Sequence, residues 1–240
     1  MLSPKTTVSV AIATYEMSGR GRYFLRQALE SIFVQDYANL EVVISDDSKD
    51  EEIENECNEW STRIKLRYKR NSGPRISPST NFNRAIELCE GSIIKILCQD
   101  DVLAMTSSIS QTVEGLSHGH KWLVSSYSHI DENNSKLNLH TPKINPRIER
   151  VNTIGSHSGL AFLSEQQNER FDENLFWRMD CEFYRRLYEN YGTPYFLLEE
   201  TVSVRQWSGQ STNTVVQRGD RIREFFMVAR KYPFKIRQLE

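Results

Sequence analysis

Leu40-Glu-Val-Val-Ile-Ser-Asp-Asp-Ser48 decides the fold: an unbroken β-branched run that stops on two acids and a serine. An apolar run of that length, bounded by turn residues, reads as a strand buried on both faces. Two more stretches repeat the design. Val8-Ser-Val-Ala-Ile-Ala13 precedes it and ends in a polar turn over 15–21, and Ile93-Ile-Lys-Ile-Leu-Cys98 follows it and again ends in acids, Asp100-Asp101. Between the first two lies a helical pattern, with Phe24, Leu25, Ala28, Leu29, Ile32 and Phe33 recurring at steps of three and four. A second helix is predicted over 50–61, an amphipathic strand over 64–69, and a third helix over 79–88 with Ser79 or Thr80 as N-cap. Strands alternating with helices of this length build βαβ units around a largely parallel sheet.

Beyond Asp101 the pattern loosens. A helix is predicted over 107–116, strands over 122–126, 159–163, 195–198 and 201–205, and a helix over 180–191. A helix is also expected from Arg221, carrying Ile222, Phe225, Phe226 and Ala229. Residues 131–152 hold few apolar positions and read as a long excursion of the functional kind. With no internal repeat or linker, the expectation is one α/β domain in three parts: a regularly alternating half over 1–101, a looser half over 102–212, and a basic helix over 213–240.

The chain has 240 residues, with 30 Lys+Arg against 32 Asp+Glu, a net charge of -2. That balance excludes a global electrostatic bias toward nucleic acid. A mean hydropathy of -0.56, no long apolar run and no signal-like opening point to a soluble cytoplasmic protein. Cys57, Cys89, Cys98 and Cys181 show no metal spacing and read as reduced thiols. The five histidines read as surface or loop residues.

The strand-end acids carry the chemistry. Ligands of open parallel sheets bind beyond the carboxyl ends of the strands. If the strands are parallel, Asp46, Asp47, Asp100 and Asp101 face one crevice. Neighbouring carboxylates resist joint ionisation unless a cation is present, and Mg2+ or Mn2+ is the hard ion such oxygen ligands select. The plainer alternative is turn and cap chemistry.

These residues together resemble family 2 glycosyltransferases. The likeness runs from Val8 to Tyr15, through Leu25, Ala28-Leu29, Ser31-Ile32 and Gln35-Asp-Tyr37, to Glu41-Val-Val-Ile-Ser-Asp-Asp-Ser48. It continues through Asn71-Ser-Gly73, Asn83-Arg-Ala85 and Gly91 to Gln99-Asp-Asp101, and thins to Ser158-Gly159, Phe171-Asp-Glu173 and Met179-Asp180 with Arg185 or Arg186. The resemblance implies a GT-A fold and inverting transfer of one sugar from a nucleotide diphosphate donor, by default a UDP-sugar, to a hydroxyl of a glycan or lipid-linked acceptor. It implies that Ala13, Thr14 and Tyr15 meet base and ribose, with Asn83 in the same donor-binding set. Asp47 would bond the base, with Asp46 nearby. Asp100 would reach the ribose or the metal's shell, Asp101 would ligate the metal, and Asp180 would act as catalytic base. Three positions depart from the family pattern: Gln99 stands where an acid is frequent, Met179 where Glu is common and Trp207 where His is frequent. The QxxRW motif of processive synthases is absent.

Outside the resemblance, Arg75 is a candidate for the diphosphate. Ser18-Gly-Arg-Gly-Arg22 reads as a turn rather than a phosphate cradle. Phe176 and Trp177 offer faces to an acceptor sugar, against an equal case for core packing. From Asn213 onward seven basic residues meet three acidic ones; a solvated helix face capping the domain is favoured over peripheral contact with an anionic membrane. Rival readings are a nucleotidyltransferase, which should show a Gly-rich loop and Lys after the first strand, a sugar-nucleotide binder without activity, and a receiver-like signalling module.

Overall fold

In the computed structural model, residues 6–73, 77–166, 168–210, 214 and 216–232 are described. Arg75 lies outside them. The chain first builds outward. Strand β1 (Val8–Thr14) pairs in parallel with β2 (Leu40–Asp46), and β2 with β3 (Leu66–Arg70), through helices α1 (Gly21–Phe33) and α2 (Glu52–Trp60). Helix α3 (Pro78–Glu87) then carries it back to β4 (Ile93–Ile96), on the other side of β1. Strand order therefore reverses between β1 and β4, which opens the crevice where an open sheet takes its ligand.

Period-two alternation sorts the strand residues onto two cores. Val8, Val10 and Ile12 join Leu25, Leu29 and Ile32 of α1 and Val42 and Ile44 of β2 on one face. Ala11 and Val43 join Phe82, Ile94, Ile96, Phe162 and Phe183 on the other. Both faces are covered, which is why the runs are continuously apolar.

The second half adds β5 (Val102–Leu103), α4 (Ser108–Ser117), β6 (Trp122–Ile130), β7 (Lys136–His140), β8 (Leu160–Leu163), α5 (Met179–Tyr191), β9 (Tyr195–Arg205) and α6 (Arg218–Lys231). The sheet runs β3-β2-β1-β4-β8-β6-β9-β5, with β7 on β6. Pairing turns antiparallel at β8, and β9 lies parallel to β6.

Several boundaries differ from the sequence expectation, each for a local reason. The α3 cap is Ser77, whose Oγ accepts from the Thr80 N–H at 3.1 Å, because Pro78 fits the first helical position. Ser79, expected as a cap, donates to the Leu175 carbonyl instead. The excursion contains β7, an exposed strand hidden by its polar composition. The two short strands expected over 195–205 are one, irregular where Ser125 pairs Leu197 but Ser126 pairs Glu200.

Candidate active site

The carboxyl ends of β1, β2 and β4 and the start of α5 enclose a cleft of about 460 Å³. Its floor begins at Ala13 and Tyr15. The Gln99 side chain fixes that loop: Oε1 accepts from the Tyr15 N–H at 2.9 Å, and Nε2 donates to the carbonyls of Tyr15 at 3.0 Å and Gly21 at 2.9 Å. Gln99, where the family often has an acid, thus holds backbone here. Gly21 is required at this approach, since an added Cβ would lie 2.3 Å from the Tyr15 oxygen.

The two acid doublets divide. Asp46 is fully buried: Oδ1 accepts from Thr14 Oγ1 at 3.0 Å and from the Ser48 N–H at 3.0 Å, and Oδ2 accepts from Tyr68 Oη at 2.8 Å. It ties β1, β2 and β3 together, and Thr14 spends its hydroxyl inside. Asp47 lines the cleft, where its Oδ1 accepts from Asn71 Nδ2 at 2.8 Å with Arg84 NH1 3.5 Å away. Asp100 lines the cleft, its Oδ2 accepting from Trp207 Nε1 at 2.9 Å. Asp101 sits behind it, its oxygens accepting from Ser158 Oγ at 2.5 Å and the Arg205 N–H at 2.9 Å. The expectation of four carboxylates facing one crevice is therefore corrected to two.

Asn83 also turns away from the cleft. Its Nδ2 donates to the Phe171 carbonyl and Glu173 Oε1, each at 3.0 Å, and its Oδ1 accepts from the Phe171 N–H at 2.8 Å, so it clasps a distant loop. Asn81, two residues earlier, faces the cleft instead and donates to the Thr14 carbonyl at 3.0 Å.

The carboxylates of one three-residue cluster suit a hard cation, whereas its Cys98 thiol, pushed well up by burial, stays protonated. Ligand atoms of Cys98, Asp100 and Asp101 lie within 4.8 Å of one another. Burial raises the Asp100 carboxyl and, with the Asp100 charge beside it, pushes Asp101 up to about 8. A divalent cation removes the penalty of ionising both. The Asp100 carboxylate at the cleft's edge, with Asp101 directly behind it, thus fits a hard divalent cation.

Asp180 enters from the other half of the chain, in the first turn of α5. Its Oδ2 accepts from Asn152 Nδ2 at 2.7 Å and its Oδ1 from the Cys181 N–H at 2.7 Å. Burial pushes it up to about 6, into the range of a general base. Phe176 and Trp177 line the same wall, as expected, with Arg178 stacked 4.6 Å from the Trp177 ring.

Sequence reasoning missed Asn152, delivered by the polar excursion, and His157. The expectation of a surface or loop role for His157 is corrected: it lines the cleft, with Nε2 3.2 Å from Cys98 Sγ and its ring edge-on to Phe82 at 5.1 Å. Burial lowers it to about 4, so it is neutral at pH 7. At position 207, where the family pattern often has histidine, the Trp207 indole N–H donates to Asp100 Oδ2.

This sheet order, with strand-end acids facing an acid on a later helix, defines the GT-A class of glycosyltransferase folds. The sequence model of glycosyl transferase family 2 matches residues 9–189, and the chain belongs to that family. Solved structures of similar fold include TarS residues 1–349 from S. aureus in complex with UDP-GlcNAc, at 17% identity and TM-score 0.75, covering 94% of this chain and 66% of that one. The mannosyltransferase PcManGT from Pyrobaculum calidifontis, in complex with GDP-Man and Mn2+, matches at 17% identity and TM-score 0.63, covering 98% of this chain and 67% of that one. The chain thus spans about two thirds of these two chains and 38% of the longer TarS chain. No protein of curated function matches it in sequence.

Proposed function

We propose that the chain is an inverting, metal-dependent glycosyltransferase that moves one sugar from a nucleotide diphosphate donor, a UDP-sugar by default, to a hydroxyl of a glycan or lipid-linked acceptor. The observation that carries the reading is the pairing, in one 460 Å³ cleft, of the Asp100 side of the β4 loop with Asp180 of α5. Tyr15 and Asp47 are offered to the nucleoside, and Asp100 and Asp101 to a cation on the diphosphate. When bound, the cation would neutralise charge on the leaving group. Asp180 takes the acceptor hydroxyl proton as that oxygen attacks the anomeric carbon. The new C–O bond forms as the bond to the diphosphate oxygen breaks, and the nucleoside diphosphate leaves.

The peripheral membrane contact also belongs to this reading. Among the described residues no helix is long and apolar enough to cross a membrane. Helix α6 exposes Ile222 and Phe226, which share a face with Arg223 and Arg230 and suit an anionic surface presenting a lipid-linked acceptor.

Thermal-shift measurements with UDP, GDP, CMP and dTDP, with and without Mn2+, test donor binding. Metal-linked stabilisation by one diphosphate nucleotide is expected, and its absence with all four refutes the reading. Asp180→Asn should keep that shift and lose transfer, whereas Asp101→Ala should lose the metal-dependent part. Equal loss of donor binding in both variants contradicts the assigned roles.

A further inference from the structure

Glu224 is a carboxylate on α6 with no exposed surface. Burying a lone carboxylate costs several kcal/mol unless donors surround it. Here three backbone N–H groups do so: Phe176 donates to Oε1 at 3.0 Å, and Trp177 and Arg178 donate to Oε2 at 2.8 Å each. These residues immediately precede α5, whose N-cap, Arg178, makes no side-chain cap bond. The N-cap N–H and the positive dipole end of α5, with the two N–H groups just before them, are thus served by an acid 46 to 48 residues away.

The same segment meets α6 twice more, with Arg221 5.2 Å from the Trp177 ring and Arg178 5.1 Å from the Phe225 ring. A turn or more along α5, buried Glu182 accepts from Lys231 Nζ at 2.5 Å and Tyr232 Oη at 2.9 Å. Val228 fills the core between these two anchors. Helix α6 therefore fixes both the entry angle and the rotation of α5. Rotation matters because Asp180 lies two residues past the last N–H that Glu224 holds, and Phe176 and Trp177 line the cleft beside it.

We propose that Glu224 is a positioning residue for transfer: through the backbone of 176–178 it sets the place of Asp180 and of the acceptor wall, and it leaves the donor half untouched. The inference rests on Asp180 being the base. On the donor side Tyr15, Asp47 and Asp100 are held by Gln99, Asn71 and Trp207 rather than by α6, and the 175–179 segment meets that half at Ser79 of α3, which donates to the Leu175 carbonyl. Losing the carboxylate frees three donors and lets the start of α5 fray. Displacement of a base by about 1 Å costs on the order of a hundredfold in rate.

The test compares Glu224→Gln, Glu224→Asp and Glu224→Ala with Asp180→Asn, using the full chain, UDP with Mn2+ as the binding probe and a transfer assay for kcat. Glu224→Gln keeps the volume and one acceptor oxygen, so it folds even if Glu224→Ala does not. Expected are a UDP–Mn2+ dissociation constant within about twofold of wild type, a kcat lowered about tenfold or more in Glu224→Gln, and partial recovery in Glu224→Asp. A purely structural role would lower the melting temperature and leave kcat unchanged well below it. Folded Glu224→Gln and Glu224→Ala proteins with wild-type kcat, beside an inactive Asp180→Asn, overturn the proposal alone. So does equal loss of UDP affinity and kcat. An active Asp180→Asn overturns the base assignment and this inference with it.

Discussion

Acidification probes the assigned base directly. Burial lifts Asp180 from an ordinary 3.8 to about 6, so its proton-accepting form disappears well above the usual carboxylate range. A group titrating near 6 is about nine-tenths ionised at pH 7 and about one-tenth at pH 5, so kcat falls roughly tenfold across that interval. A carboxyl at its ordinary value would stay about nine-tenths ionised at pH 5, and kcat would barely change. The same shift has a stability side. The folded chain holds this proton more tightly than the unfolded one, so ionisation destabilises the fold. The cost is absent below 3.8, grows between 3.8 and 6, and is full above 6. Two units set its ceiling at about 3 kcal/mol. Asp180→Asn removes the charge and keeps an oxygen for the Cys181 N–H, while its amide meets Asn152 poorly and returns about 1 kcal/mol. The variant should therefore melt higher than wild type at pH 7 and lose that advantage at pH 4. The assay is nucleotide release at saturating donor, acceptor and Mn2+ from pH 5 to 8, with paired melting curves at pH 4 and 7. A kcat that is flat down to pH 5, or an Asn variant less stable than wild type at pH 7 alone, refutes the argument.

Three further perturbations address the cleft floor. Because Asp101 is pushed up to about 8 by burial and Asp100, its ionisation costs stability increasingly as pH rises toward 8, and a cation offsets that cost. The melting-temperature gain from Mn2+ should thus be larger at pH 8 than at pH 6, and an equal gain at both would count against a carboxylate-pair site. Lys95 is fully buried in β4, donates to the Ser158 carbonyl, and is lowered by burial to about 7 from 10.5. Its charge costs stability fully below pH 7 and progressively less up to 10.5. Lys95→Met should therefore be the more stable protein at pH 6 by about 1–3 kcal/mol in urea denaturation, an advantage that shrinks by pH 9. Gly21→Ala places a methyl 2.3 Å from the Tyr15 oxygen, for an expected loss of about 1–3 kcal/mol and a weakened UDP-induced shift. Unchanged values of both would refute that close approach.

The first half was legible because its strands β1, β2 and β4 are buried on both faces. Continuous runs such as 8–13 and 40–45 have one solution in a parallel sheet, and α1 shows its buried face at 24, 25, 28, 29 and 32. The second half has no such surplus of signal. Strand β7, Lys136-Leu-Asn-Leu-His140, alternates for only five residues inside a polar stretch, and both its leucines are exposed, so it joins no core that would mark it. Strand β9 is broken in register around Leu198, which is 66% exposed, and so read as two pieces. The cap of α3 moved to Ser77 because a proline sets the helix start more firmly than a hydroxyl does.

The site was legible as positions and illegible as directions. Consecutive side chains leaving a strand point to opposite sides, so a doublet of acids cannot place both carboxylates in one crevice without a bend. At the end of β2 that alternation turns Asp46 inward and leaves Asp47 to the cleft; Asp100 and Asp101 lie in the turn beyond β4, where Ser158 and Arg205 draw Asp101 inward while Asp100 lines the cleft. The inward acids are not spare: Asp46 locks β1 to β2 and β3, and Asp101 joins the β4 loop to Ser158 and Arg205, so each fixes the backbone that carries its partner. Asn81 and Asn83 repeat the division on α3, one facing the cleft and the other clasping the 171 loop. Asp180 follows the same economy across a longer span, since the backbone just before it, at 176–178, is held by Glu224 from a helix that sequence alone read as a solvated cap. Asp47, Asp100 and Asp180 are legible from their places at or beyond an element's end, whereas Asn81, inside α3, is not. The residues that orient these side chains are chosen by tertiary contact and have no signature within their own segments.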